Sequence, residues 1–424
     1  MSKRNLQAWL DYQQRTHPDA IALGLERVRE VWRRLGAPPP AATVITVGGT
    51  NGKGSTVAFV EAIAAAAGQR VGAYTSPHLV RYNERARVAG SDLPDAGWID
   101  AFERIEAVRG DIALTYFEFG TLAALWQFAQ AGLDLAVLEV GLGGRLDAVN
   151  IIDADAAIVT TVDLDHQDWL GHDRDSIGGE KAGIFRRGRP AIVGDAQAPA
   201  GLLDAARALG ARLMLAGRDY HWQGHVGARW DWRCGDTRLE LPRPALAAPV
   251  QLANAAAAIA ALHALRPRCG WDADAIARGV VHAQAAARLQ RIAREPELVI
   301  DVAHNPQAAR ALAQWLRDEP ARGRTLAVFG ALADKDVAGV VAALADCVDR
   351  WFPAALDAVS SRGLSAAALV ARMAALPPAR VAAASASVAA ALAQARAQAV
   401  PADRIIAFGS FFVAGAALAA RDET

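Results

Sequence analysis

The stretch Thr43–Ser55, T-V-I-T-V-G-G-T-N-G-K-G-S, constrains this chain more than any other. Val44, Ile45 and Val47 form a short apolar strand with no turn residue among them. Four glycines follow within seven positions (Gly48, Gly49, Gly52, Gly54), and Thr56 to Ala67 then reads as helix. Glycines at a strand-to-helix turn let several backbone N–H groups face one point. The helix adds the positive end of its dipole there, which suits a polyphosphate. Lys53 brings a full positive charge to the terminal phosphates, and a hydroxyl just after it can hold a magnesium ion. The spacing departs from strict G-x-x-x-x-G-K-[ST]: that pattern needs glycine at Val47 and a hydroxyl at Gly54. Here the loop is one residue shorter, and the hydroxyls are Ser55 and Thr56. A plain glycine turn is the alternative, and it leaves Lys53 unexplained.

A chain of 424 residues exceeds what one core usually covers, so two domains are expected. Forty-five basic and 45 acidic residues cancel, leaving no polyanion-binding footprint and no expectation of nucleic acid. The three cysteines (Cys234, Cys269, Cys347) show neither metal-ligand spacing nor a disulfide framework, which fits a reducing cytosol. The charged start M-S-K-R-N has no signal-peptide core. The longest apolar run, Ile405 to Ala420, is shorter than the roughly 20 residues that span a bilayer. A cytoplasmic protein without a membrane partner is expected.

Strands are expected at Val71–Tyr74, Leu135–Val140, Ala156–Val162, Pro190–Val193 and Arg212–Leu215, alternating with helices. That alternation implies a parallel sheet covered on both faces, with ligands at the strand C-termini. Loops 48–55, 75–79, 141–148 and 163–169 then share one cleft. Tyr220 to Leu241 reads as a small antiparallel excursion, and 283–296 as a linker. A second α/β series follows, with strands at Leu298–Val302, Thr325–Phe329 and Arg404–Phe408. The fold class is α/β: a P-loop parallel-sheet ATPase domain over 1–290, then a smaller Rossmann-like α/β domain over 297–424.

Several residues can carry chemistry, each with a plainer alternative. Glu139 sits in an apolar strand, where an ionised carboxylate is costly unless paired or metal-bound. His166 follows Asp163 and Asp165 on a turn that is otherwise a solvated loop. Ser76 in T-S-P-H-L also reads as a turn residue or helix cap. Together, Ser76, Glu139 and His166 can complete an oxygen-rich magnesium site, and the histidine leaves manganese open. Lys181 in G-E-K-A-G-I-F otherwise reads as a helix-surface lysine. Asp301, at a strand end ahead of Asn305-Pro306, is placed to accept hydrogen bonds from ribose hydroxyls. No N-K-x-D segment supports a guanine-selective GTPase.

V-G-G-T-N-G-K-G-S, T-S-P-H-L, L-T-Y-F-E, L-E-V-G-L-G-G-R-L-D-A, D-H-Q-D-W-L-G, E-K-A-G-I-F, D-V-A-H-N-P and F-G-S-F together resemble bacterial folylpolyglutamate synthase/dihydrofolate synthase, of the muramyl-ligase superfamily. The resemblance runs from about Trp9 to Phe411. It implies that Thr50, Asn51, Gly52, Lys53, Gly54 and Ser55 bind ATP, joined by Asn254, Arg288 and Asp301. It implies that Ser76, Glu139 and His166 hold Mg2+ (or Mn2+), that Lys53, His166 and Lys181 serve catalysis, and that Lys181 is carboxylated by carbon dioxide. Ala22, Leu23, Gly24, Leu25, Thr115, Tyr116, Phe117, Glu118, Leu146, Asp147 and Ala148 fall where the family binds its pterin substrate.

The implied activity is an ATP-dependent amide ligation of L-glutamate to dihydropteroate and to reduced folates through an acyl phosphate. The second domain carries the glutamate side. The resemblance allows for a monovalent cation and implies action as a monomer. One departure stands out: the family's usual P-G-R-F-Q is Ala286-Ala287-Arg288-Leu289-Gln290 here. Two rivals remain, a cell-wall ligase of the same superfamily and a P-loop switch or binding module.

Overall fold

A computed structural model describes residues 4–17, 22–225 and 227–420. The chain divides into two compact units. The first holds most of the chain before residue 285, and the second takes Leu79–Arg81, Leu246–Gln251 and the chain from Ala285 onward.

The first unit is built on an eight-stranded sheet. Its strands are β1 (Thr43–Gly48), β2 (Val71–Tyr74), β3 (Ala86–Val88), β4 (Ser91–Asp92), β5 (Leu135–Glu139), β6 (Ala156–Val159), β7 (Pro190–Val193) and β8 (Arg212–Leu215), in the order β4-β3-β2-β5-β1-β6-β7-β8. From β2 through β8 in that order all pairs are parallel, and β3 and β4 extend the β2 edge antiparallel. The central strands β1, β5 and β6 are buried along their whole length, which is why they read as apolar runs without alternation. Because β2, β5, β1 and β6 are parallel neighbours, the turns that follow them leave one edge of the sheet.

Helix Lys53–Ala66 packs against helix Ala273–His282 so closely that a Cβ on Gly279 would stand 2.4 Å from Ile63 Cα. The stretch 81–109, only a charged segment by sequence, contains β3, β4 and helix Asp95–Arg109. That helix buries Trp98, Ala101, Phe102 and Ile105 on one stripe, and acidic and basic residues cover the rest. Those four residues join a core with Trp9, Trp32, Phe119 and Phe128. Each large side chain contributes about 1.5–3 kcal/mol by burial.

The antiparallel excursion is a three-stranded sheet, β9 (Tyr220–Gly224), β10 (Arg229–Cys234) and β11 (Thr237–Pro242), in the order β11-β10-β9. Trp230 and Trp232 alternate inward along β10, and their indole N–H groups donate to Pro242 O (2.9 Å) and Ala256 O (3.2 Å).

The second unit carries β12 (Gln290–Arg294), β13 (Glu297–Ile300), β14 (Thr325–Phe329), β15 (Arg350–Pro353) and β16 (Arg404–Phe408), in the order β12-β13-β16-β14-β15. All pairs are parallel except β12 with β13. The stretch read as a linker is therefore structured: β12 runs through it, and the second unit already begins at Ala285. An edge strand that is mostly exposed has no apolar run to announce it. Among the described residues no helix is long and apolar enough to cross a membrane.

Candidate active site

The turn after β1 is held in shape by glycine and threonine. Gly49 has φ +140°, and a Cβ on it would stand 1.9 Å from Thr160 Oγ1; Gly52 has φ +87°. Thr50 N donates to Thr161 O at 2.8 Å, and Asn51 N to Thr161 Oγ1 at 3.1 Å. Thr160 Oγ1 donates to Asn51 O at 2.6 Å, and Asp163 N to Thr50 Oγ1 at 3.1 Å. The loop is thus tied to the turn following β6. Lys53 opens the next helix and curls back, its Nζ donating to Gly49 O (3.1 Å) and Thr50 O (3.2 Å). Those carbonyls leave the ammonium poised over the loop. The Ser55 and Thr56 hydroxyls are buried and have no hydrogen-bond partner among the described residues. Buried hydroxyls are normally satisfied, so an orphan pair beside a phosphate-type loop fits an anion or its metal.

Glu139 ends β5 beside Val47 of β1 and is 5% exposed. Its Oε2 accepts from Ser76 N at 3.2 Å, which joins the turn after β2 to the acid. His166 has φ +52° and ψ 41°, uncommon for a residue with a Cβ, and stands ahead of the short helix Gln167–Leu170. Its N–H donates to Asp165 Oδ1 at 2.9 Å.

Among the described residues, no cluster of three or more His, Cys, Asp and Glu forms a metal cage. A carboxylate, a hydroxyl and an imidazole on neighbouring turns make a sparse donor set. It fits an ion that takes most of its ligands from phosphate oxygens and water, as magnesium does.

Lys181 ends helix Arg174–Lys181 and is 3% exposed, so the surface reading is wrong. Burial and the nearby Lys53 charge push its ammonium down to about 7, against the pull of Asp165 and Asp147.

Two of the three stretches expected to bind the pterin are tied together by a residue that the sequence did not single out. Arg27 Nη2 donates to Ala22 O at 2.8 Å and to Glu118 Oε1 at 2.9 Å, which ties the Ala22–Leu25 stretch to helix Tyr116–Gln130. Thr115 and Glu118 form a capping box: Glu118 N donates to Thr115 Oγ1 (3.2 Å), and Thr115 N to Glu118 Oε2 (2.7 Å). Both Glu118 oxygens therefore have work inside the protein. Phe117, on helix Tyr116–Gln130, packs against the turn after β5, where a Cβ on Gly141 would be 2.7 Å from its Cζ. Asp147 accepts from Leu142 N (2.8 Å) and Val149 N (3.0 Å); burial pushes its carboxyl up to about 6. Ala148 is buried, and Leu146 is 39% exposed.

In the second unit, Asp301 accepts from Leu289 N (2.9 Å) and Ala303 N (2.7 Å), so its carboxylate latches the backbone of its own turn. Burial raises its carboxyl above the usual range. The Arg288 guanidinium lies 5.6 Å from the Phe411 ring centroid. Ala287 has φ +53°, left-handed backbone at the position where the resemblance expects glycine.

Residues 47–218 match the Mur ligase middle domain, and 287–411 match the Mur ligase, glutamate ligase domain. The dihydrofolate synthase/folylpolyglutamate synthase of Escherichia coli strain K12 is 49% identical over 370 residues, 86% of this chain and 85% of that one. The chain belongs to the dihydrofolate synthase/folylpolyglutamate synthase family. A solved structure, E. coli FolC in complex with DHPP and ADP, superposes on 99% of the chain and 98% of its own with a TM-score of 0.93 at 45% identity. A bifunctional folylpolyglutamate synthase/dihydrofolate synthase with Mn, AMPPNP and L-glutamate bound superposes with a TM-score of 0.89 at 46% identity, covering 98% of each chain. Membership in the dihydrofolate synthase/folylpolyglutamate synthase family gives this chain its α/β ligase fold, as expected from the sequence.

Proposed function

We infer that the chain is an ATP-dependent ligase that joins L-glutamate to dihydropteroate, giving dihydrofolate, and to the terminal glutamate of reduced folates, giving polyglutamates. The observation that carries this reading is the placing of a phosphate loop and a buried acid at adjacent strand ends, Val47 beside Glu139, in a chain of this family. ATP is the co-substrate and a divalent metal, Mg2+ or Mn2+, the cofactor. Dihydropteroate, reduced folates and L-glutamate are the small-molecule partners.

The chemistry follows from a poor electrophile. A carboxylate resists attack because its leaving group is oxide. Its oxygen takes the γ-phosphoryl group of ATP, releasing ADP and leaving an acyl phosphate. The glutamate amine then attacks the acyl carbon; phosphate departs, a proton is lost from nitrogen and the amide remains.

Lys53 and the N–H groups of Thr50 to Ser55 offset charge on the phosphoryl oxygens as they move. Ser76, Glu139 and His166 would hold the divalent ion, which would supply further positive charge to the phosphoryl oxygens. Asn254, packed against Gly52, fixes the loop and faces the nucleotide. A carbamate on Lys181 would replace a buried cation by an anion, turning repulsion from Lys53 into attraction. The stretches Ala22–Leu25, Thr115–Glu118 and Leu146–Ala148 hold the pterin.

The test is an incubation of purified protein with ATP, Mg2+ and labelled glutamate, separately with dihydropteroate, tetrahydrofolate and a cell-wall precursor acid. Label should enter the first two acceptors, and Lys53→Ala should lower incorporation about 100- to 1,000-fold with the fold intact. Label in the cell-wall acceptor alone, or ADP release without amide, would overturn the reading.

A further inference from the structure

Arg85 is a buried cation that has no carboxylate paired with it among the described residues. The residue closes the 3₁₀ turn Tyr82–Arg85 and is 7% exposed. Its guanidinium carbon lies 5.2 Å from the Tyr82 ring centroid and 5.5 Å from that of Tyr116. Its Nε donates to His78 Nδ1 at 2.9 Å, and its charge acts on the buried Tyr74 hydroxyl. Among the described residues it forms no ion pair with a carboxylate. Arginine is rarely buried unless paired, and ring faces return only part of the lost hydration. The Tyr82 hydroxyl, in the same cluster, is also buried without a hydrogen-bond partner among the described residues.

The position of this cluster is informative. On one side, Arg85 O accepts from Thr75 N at 2.8 Å, so the residue is fastened to the turn that carries Ser76. On the other side, its guanidinium rests on Tyr116, in the stretch read as pterin-binding. The cation thus stands between the turn that carries Ser76 and the start of the helix at Tyr116, the stretches read as metal-binding and pterin-binding.

We propose that Arg85 receives the carboxylate of the pteroyl substrate, holding the acid for phosphorylation, with the unpaired Tyr82 hydroxyl as a second donor. The assignment rests on the folate-ligase reading. Tyr74, Tyr82 and Tyr116 wall the guanidinium from water, which strengthens its attraction for an incoming anion. A planar fork also fixes the plane of the carboxylate, which an ammonium would not.

The experiment compares two ligands of nearly the same shape, one an anion and one neutral with an NH2 donor in place of an acceptor oxygen: pteroic acid and its carboxamide, titrated calorimetrically against the full chain with ADP and Mg2+ present. The wild-type protein should bind the acid about tenfold to a hundredfold tighter than the amide. In Arg85→Gln the acid should weaken to the level of the amide while ADP affinity stays unchanged, and Arg85→Lys should keep part of the preference. A role confined to packing would weaken both ligands together and leave their ratio intact, which would overturn the proposal. Equal binding of acid and amide by the wild-type protein would overturn it without any variant, so misfolding of Arg85→Gln does not shelter it. If the wild-type protein binds ADP but neither pteroyl ligand, the folate reading itself falls, and the role of Arg85 with it.

Discussion

The Cβ that Gly52 lacks would stand 2.5 Å from Asn254 Oδ1. Asn254 is itself buried, on helix Gln251–Ala264, so the phosphate loop and a helix 200 residues later in the chain are shaped against each other. Gly52→Ala meets two penalties. At φ +87° a side chain costs about 1–2 kcal/mol, and the amide of Asn254 must also swing out of a packed position. ATP binding measured by calorimetry should weaken about thirtyfold or more, with the far-UV circular dichroism unchanged.

The link between Glu139 and Ser76 predicts a metal phenotype. Glu139→Gln preserves shape and can still accept from Ser76 N, but it removes the negative charge. Activity should then need about tenfold more magnesium, with a smaller change in the Michaelis constant for the acceptor. An unchanged magnesium titration would make Glu139 a purely structural acid.

Much of the fold was legible because the sheets are buried. Val71–Tyr74, Pro190–Val193, Arg212–Leu215, Thr325–Phe329 and Arg404–Phe408 coincide with the expected strands because each is a short apolar run between turn residues. Helix Asp95–Arg109 was hidden by the charge on its outer face, and β12 by its exposure at a sheet edge. The strand, glycine-rich turn and helix around Lys53 were legible because the glycines and the lysine lie together in one short stretch. The contacts that shape the site were not: Thr160 reaches Asn51 across 109 residues, and Arg27 reaches Glu118 across 91. Such pairs follow from strand order and helix packing, which leave no local period in the chain. Lys181 gave no sign of burial because one lysine in a short helix looks alike inside and outside.

Lys181 makes a pH prediction whose sign depends on its modification. The plain amine titrates near 7 in the folded chain and in the ordinary lysine range when unfolded. Between those values the unfolded chain holds the extra proton. Stability therefore rises as pH climbs from about 7 toward 10, and the burial penalty is complete below about 7. A carbamate has no such titration. Melting temperature followed over that range should rise in carbonate-free buffer and flatten when bicarbonate is added. Carbon-13 NMR with labelled bicarbonate should show a carbamate signal that Lys181→Ala lacks. Identical curves with and without bicarbonate, and no such signal, would leave Lys181 an unmodified lysine.

Ala287 tests how strictly the turn ahead of β12 needs glycine. Its φ of +53° costs an alanine about 1–2 kcal/mol, yet its methyl is fully buried, in the core cluster of the second unit that also holds Ile300 and Val413. Ala287→Gly relieves the backbone but loses about 0.8 kcal/mol of methyl burial and about 0.5–1 kcal/mol to the greater freedom of the unfolded chain. The two sides nearly cancel, so the melting temperature should move by no more than about 2 °C. Ala287→Val has no such compensation. A β-branched side chain is an outlier at positive φ, and two added methyl groups overfill a packed site, for a loss of about 3 kcal/mol or more. Thermal unfolding of the two variants should therefore separate them by several degrees. A melting point for Ala287→Val within a degree of the wild type would show that the turn adopts another backbone conformation in solution.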